Sequence, residues 1–244
     1  MKAVFGAHYR PASNDALASM PVPENEGGGD AEYVVTAAAS TVLSSGETVL
    51  VTSGEVADEQ GQADSAMADG GQLSVYFLRQ RDGKWTIVKR FENIASIGSH
   101  GSFGAVSWPM LGKDKPGMAI EGAIGNRGLA AETITLYDIS NNTVRDASDG
   151  AIVTASSNEG DCVEELAMEC WDTKGTWRMT PAKVPGAYDD LVMDVTGTRS
   201  TAPGEHREEA TGPRVSEKVR GVMRYAYDGK SFKAVEGEDL MHGL

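Results

Sequence analysis

Internal recurrence constrains this chain most. After Tyr33 one order of elements returns three times: a strand, a glycine turn, a second strand and then a hairpin. A repeat of that size determines an architecture more firmly than any local propensity. In the first unit, residues 33–92, TVLSSGETVLVTSGEV gives strand, glycine turn and β-branched strand, and a polar loop leads to LSVYFLRQRDGKWTIVKR. Two apolar-alternating runs flank Asp82-Gly83, a dipeptide that tolerates the positive φ of a type I′ turn. That pairing sets Trp85 and Val88 to face Tyr76 or Leu78.

The second unit, 101–148, runs FGAVSWPMLGKDKPGMAIEGAIG and then AETITLYDISNNTVRDAS, with Asn141-Asn142 at its hairpin. The third, 172–237, contains TWRMTPAKVPGAYDDLVMDVTG, a long polar insertion and GVMRYAYDGKSFKAVEG, with Asp228-Gly229 at its turn. Many short apolar segments among 29 glycines favour strands joined by turns over long helices. The expected class is therefore all-β and antiparallel, with about three four-stranded, blade-like units forming a single β domain over 31–244. Residues 1–30, with PVPENEGGGD and little periodicity, read as an irregular N-terminal arm.

The stretches GETVLVTSG, PGMAIEGAIG and GAYDDLVMDVTG resemble the inner strands of integrin-type FG-GAP or VCBS β-propeller repeats of the bacterial envelope. In these an apolar strand follows a glycine turn, and Asp190-Leu191-Val192 matches the pattern most closely. The resemblance implies a propeller-like fold. The alternating Asp and Asn loop that holds calcium in that family is missing from all three units, and three units fall short of the usual four blades. An incomplete propeller, an irregular sandwich and closure through a partner chain all remain open.

Lys plus Arg number 22 against 36 Asp plus Glu, a formal charge of −14. Nucleic-acid binding needs clustered cations that displace counterions from phosphates, and an anionic membrane surface repels the same field. Neither partner is expected, and no apolar run is long enough for a membrane span. An acidic field steers basic partners instead, or simply keeps the surface solvated.

The two cysteines, Cys162 and Cys170, lie eight apart in GDCVEELAMEC. A disulfide there implies a periplasmic or extracellular location for a mature form whose signal has been removed, whereas reduced thiols imply cytoplasm. The bonded form is the expectation.

Candidate chemistry is sparse. No GxSxG, HExxH, Walker or CxxC pattern occurs. Asp189 and Asp190 could supply two of the six to eight oxygens calcium takes, but adjacent strand residues point to opposite faces, so a turn is the simpler reading and no cofactor is expected. His8, His206 and His242 sit in polar or terminal segments. Only His100, in SIGSHGSFG, has hydroxyls nearby that a base could activate, and two flanking glycines favour a turn. Gly27-Gly28-Gly29 lacks the strand and helix of a phosphate loop. Trp171 and Trp177 read as packing residues, with a stacking platform for sugar or peptide as the alternative.

Two insertions differ from the strands around them: 55–71, which carries Asp58, Glu59, Asp64 and Asp69, and the mixed-charge stretch 198–218. Loops on a rigid scaffold are where binding surfaces usually reside. The functional expectation is a non-enzymatic acidic binding module, an inhibitor or immunity protein masking a basic protein through those four carboxylates. A hydrolase with a site assembled across loops and a structural surface lipoprotein are the alternatives.

Overall fold

The computed structural model describes residues 1–22, 27–126, 128–163, 168–183, 188–204 and 213–241. It is 61% strand and 6% helix, antiparallel in two open sheets, which establishes the all-β class. The chain divides into two compact units, one comprising Met1–Trp108, Ile120–Gly122 and Ile139–Val144, the other Pro109–Ala119, Ala123–Asp138 and Arg145–Leu244. Turn chemistry recurs across this division and does not mark it, because it does not reveal where strand pairing stops.

The first unit holds a helical turn, α1 (Lys2–Phe5), and a meander of β1 (Tyr9–Arg10), β2 (Asp15–Pro21), β3 (Asp30–Val42), β4 (Thr48–Val56), β5 (Gly71–Arg81) and β6 (Lys84–Ile97), hydrogen-bonded in that order. The N-terminal segment is therefore built into the sheet, not irregular. DALASMP alternates to bury Ala16, Ala18 and Met20, and Phe5 packs edge-on against Tyr76 at 5.7 Å. These side chains join Tyr33, Val35, Leu50 and Leu78 in one core. Gly27-Gly28-Gly29 turns β2 into β3, with Gly29 O accepting from Val22 N at 2.9 Å.

β5 is buried on both faces from Gly71 to Leu78, as an interior strand with a near-continuous apolar run should be. Asp82 and Gly83 adopt φ of 50° and 75° between the paired residues Arg81 and Lys84, a two-residue turn of the expected kind. The cross-strand contacts differ from expectation. A register shift between Phe77 and Leu78 leaves Val88 as an extra, bulged residue, so Ile87 stands opposite Leu78 and Trp85 opposite Gln80.

The remaining strands are β7 (Val106–Ser107), β8 (Gly117–Asn126), β9 (Leu129–Asp138), β10 (Arg145–Asp146), β11 (Ile152–Ser157), β12 (Glu169–Thr180), β13 (Asp190–Thr201), β14 (Val215–Tyr227) and β15 (Phe232–Glu236), with a short helix, α2 (Glu159–Val163), before β12. The second sheet runs β15-β14-β13-β12-β11-β9-β8, and β10 pairs with β9. β12, β13 and β14 form a long, regular ladder whose alternation separates two faces. Trp177, Met193 and Met223 share one rung of the inner face, within a core that includes Leu136, Leu191, Val195 and Phe232. Gly175 and Gly221 occupy the next rung. A Cβ on Gly175 would strike Met193 and Met241, and one on Gly221 would strike Leu240, so the pair leaves room for the segment ending at Met241.

Most of β3–β6 falls within 33–92, β7–β10 within 101–148 and most of β12–β15 within 172–237, while β11 falls outside all three expected units. β8–β10 and β12–β15 lie in one sheet with β11 between them. The three turns also differ. Asn141 and Asn142, both at φ 55°, lead into a β10 of only two residues, because the Asp146 carboxylate gathers the backbone N–H groups of Ser148, Asp149 and Gly150 and draws the chain off the ladder. Asp228-Gly229 sits in a four-residue loop between Tyr227 and Phe232, where Asp228 Oδ1 accepts from Lys230 N and Ser231 N.

Candidate functional site

The acidic insertion of the first unit is ordered by its own carboxylates. Asp58 Oδ1 accepts from Gln60 N and Gln62 N, each at 2.8 Å, closing a turn whose Gly61 carbonyl accepts from Arg10 Nη1. Asp69 Oδ2 accepts from Ala66 N at 2.7 Å. Short polar side chains capture nearby N–H groups in this way wherever a ladder is absent. Of the four residues singled out in sequence, Glu59, Asp64 and Asp69 are exposed and Asp58 is half-buried. A cleft of about 260 Å³ opens beside Ser65, Asp69 and Gln72.

The SIGSHGSFG loop docks onto this insertion. His100 N donates to Met67 O, and Gly101 N donates to Asp69 O at 2.8 Å. His100 itself is exposed at φ 52°, and its ring has no hydrogen-bond partner among the described residues. Nothing in that geometry pairs it with a hydroxyl as base and nucleophile. His8 is exposed at the end of a short 3-10 helix, Gly6–His8, and His206 and His242 lie outside the described residues.

In the second unit Asp189 and Asp190 are separated as strand alternation requires. Asp190 is buried and accepts from Arg224 Nη1 at 2.8 Å, so a guanidinium already neutralises it, while Asp189 N donates to Leu111 O. Among the described residues no three His, Cys, Asp or Glu side chains gather as a metal site.

Cys162 and Cys170 are bonded, with Cα atoms 6.0 Å apart. The bridge ties α2 to the start of β12, and Asn158 reinforces it: Trp171 N donates to Asn158 Oδ1 at 2.8 Å and Asn158 Nδ2 donates to Glu169 O at 2.8 Å. Beside the bridge lies a cleft of about 430 Å³, lined by Glu159, Cys162, Cys170, Trp171, Asp172, Thr198, Ser200 and Arg214. Cross-strand register builds it, since Cys170 pairs with Ser200 and Asp172 with Thr198, placing four side chains on one face of the ladder. Trp171 Nε1 donates to Ser156 Oγ at 2.9 Å, and Trp177 packs against the core.

This cleft escaped sequence reasoning. Alternation in ECWDTKGTW and VTGTRST places the residues on faces, but which residue stands opposite which depends on a register that no local motif encodes. A second cluster escaped it as well. Tyr188 and Tyr227 stack at 4.1 Å, and Arg145 lies 5.6 and 5.4 Å from their ring centres. Arg145 also pairs with buried Asp138 at 3.1 Å, and Tyr188 donates its hydroxyl to the same carboxylate. Burial and then Asp138 push the Tyr188 phenol above its ordinary range. With its hydrogen bonds turned on one another, the cluster reads as a corner brace of the unit. Among the described residues no helix is long and apolar enough to cross a membrane. Comparisons with protein-family models, with curated proteins and with solved structures find no match for this chain.

Proposed function

We propose that this protein is a non-enzymatic acidic binding module of the bacterial cell envelope, acting as an inhibitor or immunity protein that masks a basic protein partner. One observation carries the reading. The insertion 55–71 holds its shape through Asp58 and Asp69 while Glu59 and Asp64 remain exposed, so negative potential is presented on a pre-ordered surface. Pre-ordering lowers the entropy lost on association, and complementary charge raises the association rate. The net charge of −14 adds a long-range field of the same sign. The Cys162–Cys170 bond supports an oxidising compartment such as the periplasm or the extracellular space.

The test is to capture a partner from envelope extract on the immobilised protein and then measure association rates for a variant carrying Glu59→Gln and Asp64→Asn. Those two substitutions spare the turn-closing carboxylates. The expected result is slower association, with a shallower dependence on ionic strength and little change in dissociation. Unchanged association kinetics overturn the loop's role, and capture of no protein overturns the binding reading.

A further inference from the structure

The β5–β6 hairpin carries an inference independent of the acidic insertion. β4 pairs with β5 as far as Thr48 opposite Leu78, whereas β5 and β6 stay paired as far as Arg81 and Lys84. The last three rungs and the Asp82-Gly83 turn thus run on beyond the last β4–β5 pair, by about 10 Å at the rise of a strand.

Cations concentrate at this end. Residues 79–90 hold five of the chain's 22 Lys and Arg, namely Arg79, Arg81, Lys84, Lys89 and Arg90, against one carboxylate, Asp82. Arg79 pairs with Glu47 and Arg90 with Glu92. Arg81, Lys84 and Lys89 are exposed and carry no ion pair among the described residues. Apolar side chains stand among them. Val42, Thr48, Leu78 and Ile87 form one cross-strand row, and alternation puts Trp85, two residues nearer the turn, on the same face. Leu78 and Ile87 pack in the core, but Val42 is 68% exposed and Trp85 43%. Tryptophan is a highly buried residue on average, so an indole this open on a projecting turn calls for a partner.

The mixture selects the partner. Tryptophan sits at headgroup depth in a lipid interface, and Lys and Arg lay their stems along apolar surface while their charges stay with the phosphates. A projecting turn enters such a soft surface, whereas a small molecule needs a concave site. The net charge of −14 opposes approach to an anionic surface, but screening limits its reach. The insertion 55–71 leads into β5 at Gly71, about 34 Å from Arg81 along an extended strand, while the Debye length at about 0.15 M salt is about 8 Å. The cations of the hairpin therefore outweigh the carboxylates of the insertion at whatever surface the turn meets.

We propose that the β5–β6 hairpin docks on an anionic lipid bilayer, with Arg81, Lys84 and Lys89 meeting headgroup phosphates and Trp85 entering the interface.

Flotation of the oxidised, full-length chain with unilamellar vesicles tests this. The chain should float with phosphatidylglycerol and phosphatidylcholine in equal parts, stay behind with phosphatidylcholine alone, and be released by high salt. Arg81→Gln, Lys84→Gln and Lys89→Gln together should weaken binding about a hundredfold, as the loss of three cations near a charged surface requires. Phosphatidylcholine brominated high in its acyl chains, mixed with phosphatidylglycerol, should quench part of the tryptophan emission, and Trp85→Phe should abolish that quenching while keeping the binding. Circular dichroism of each variant should match the parent. Failure to float with the mixed vesicles overturns the proposal, as does equal binding to phosphatidylcholine alone, binding indifferent to the triple substitution, or quenching that survives Trp85→Phe. Binding of decaglutamate by a chain that ignores the vesicles assigns the hairpin to an acidic protein and also overturns it. Glu59→Gln with Asp64→Asn should leave flotation intact, so failure here is distinguishable from failure of the protein-binding reading.

Discussion

Asn93 reaches across 72 positions to donate its side-chain amide to the Pro21 carbonyl at 2.8 Å, tying β6 back to β2. The ladder makes room for this. Leu73 pairs with Ala95 and Val75 with Phe91, so Glu92, Asn93 and Ile94 all stand opposite Ser74. Asn93 takes φ 48°, and its backbone N–H donates to Ser74 Oγ at 2.9 Å. Bulges bend strands, and this one turns β6 toward the strand it must meet.

Replacing Asn93 by Ala should therefore cost about 1 to 3 kcal/mol, since the part-buried hydrogen bond to the Pro21 carbonyl is lost and a Cβ residue without a local hydrogen bond occupies a left-handed conformation. Asn93→Gly separates the two causes, because glycine accepts that φ freely. Urea denaturation should place the glycine variant between the alanine variant and the parent. A glycine variant as stable as the parent would show that the side-chain bond contributes nothing.

Glu47 gives the first unit an acid-sensitive joint. It is buried in the turn before β4, where a hydrogen bond from Ser45 and then the Arg79 guanidinium hold its carboxyl at about 2, against an ordinary 4.5. A carboxyl lowered by folding contributes stability that is present above its unfolded value and is lost as pH falls through the folded one. The contribution should be whole above about pH 4.5 and fade toward about pH 2. Glu47→Gln should lower the melting temperature at neutral pH, and the gap from the parent should close as the solution is acidified to pH 2. A gap that stays constant across that range would assign the effect to packing instead.

Fold class was legible because strand propensity, glycine turns and Asp82-Gly83 all act over a few residues, and local chemistry decides them. The disulfide was legible for the same reason, at a spacing of eight. What stayed hidden depends on register and distance. Val88 is bulged by a register shift between β5 and β6 that no local motif signals, and the β12–β13 pairing that builds the Asp172 cleft is one of several that alternation allows. The N-terminal segment looked irregular because its strands are short and its buried side chains small. Phe5 and Met20 have meaning only beside Tyr76, more than fifty positions away. The Tyr188 brace draws on β9, β10, β14 and a loop, and no window of sequence contains it.

Asn158 should matter more to the second unit than the disulfide it accompanies. Closing a loop of this length contributes roughly 2 to 3 kcal/mol. Asn158 N donates to Trp171 O, its side chain serves Trp171 N and Glu169 O, and its carbonyl accepts from Asp161 N at 3.0 Å. Removing that side chain takes the partner from two part-buried backbone groups on β12, each at about 1 to 3 kcal/mol. The paired Cys162→Ser, Cys170→Ser variant should keep the far-ultraviolet spectrum of the parent with a modestly lower melting point, and Asn158→Ala should fall further. The reverse order would make the covalent bond the principal tie.

Alkaline titration should find four tyrosines that ionise late. Burial is the main cause that raises Tyr76, Tyr137, Tyr188 and Tyr225, and Glu92, Asp146, Asp138 and Asp239 respectively add to it. A phenol raised by folding stays protonated in the folded chain after the unfolded chain has begun to ionise. Stability is therefore full below the ordinary value near 10 and is lost as pH rises from there toward the folded value. Phenolate absorbance from these four rings should rise together with the loss of β structure in circular dichroism. Tyr188→Phe should remove one tyrosine from that step. It should also lower the melting temperature at neutral pH, because Asp138 loses a donor in a buried position. Ionisation of these four near the ordinary value, with the sheets still folded, would show that these rings are not held as the structure places them.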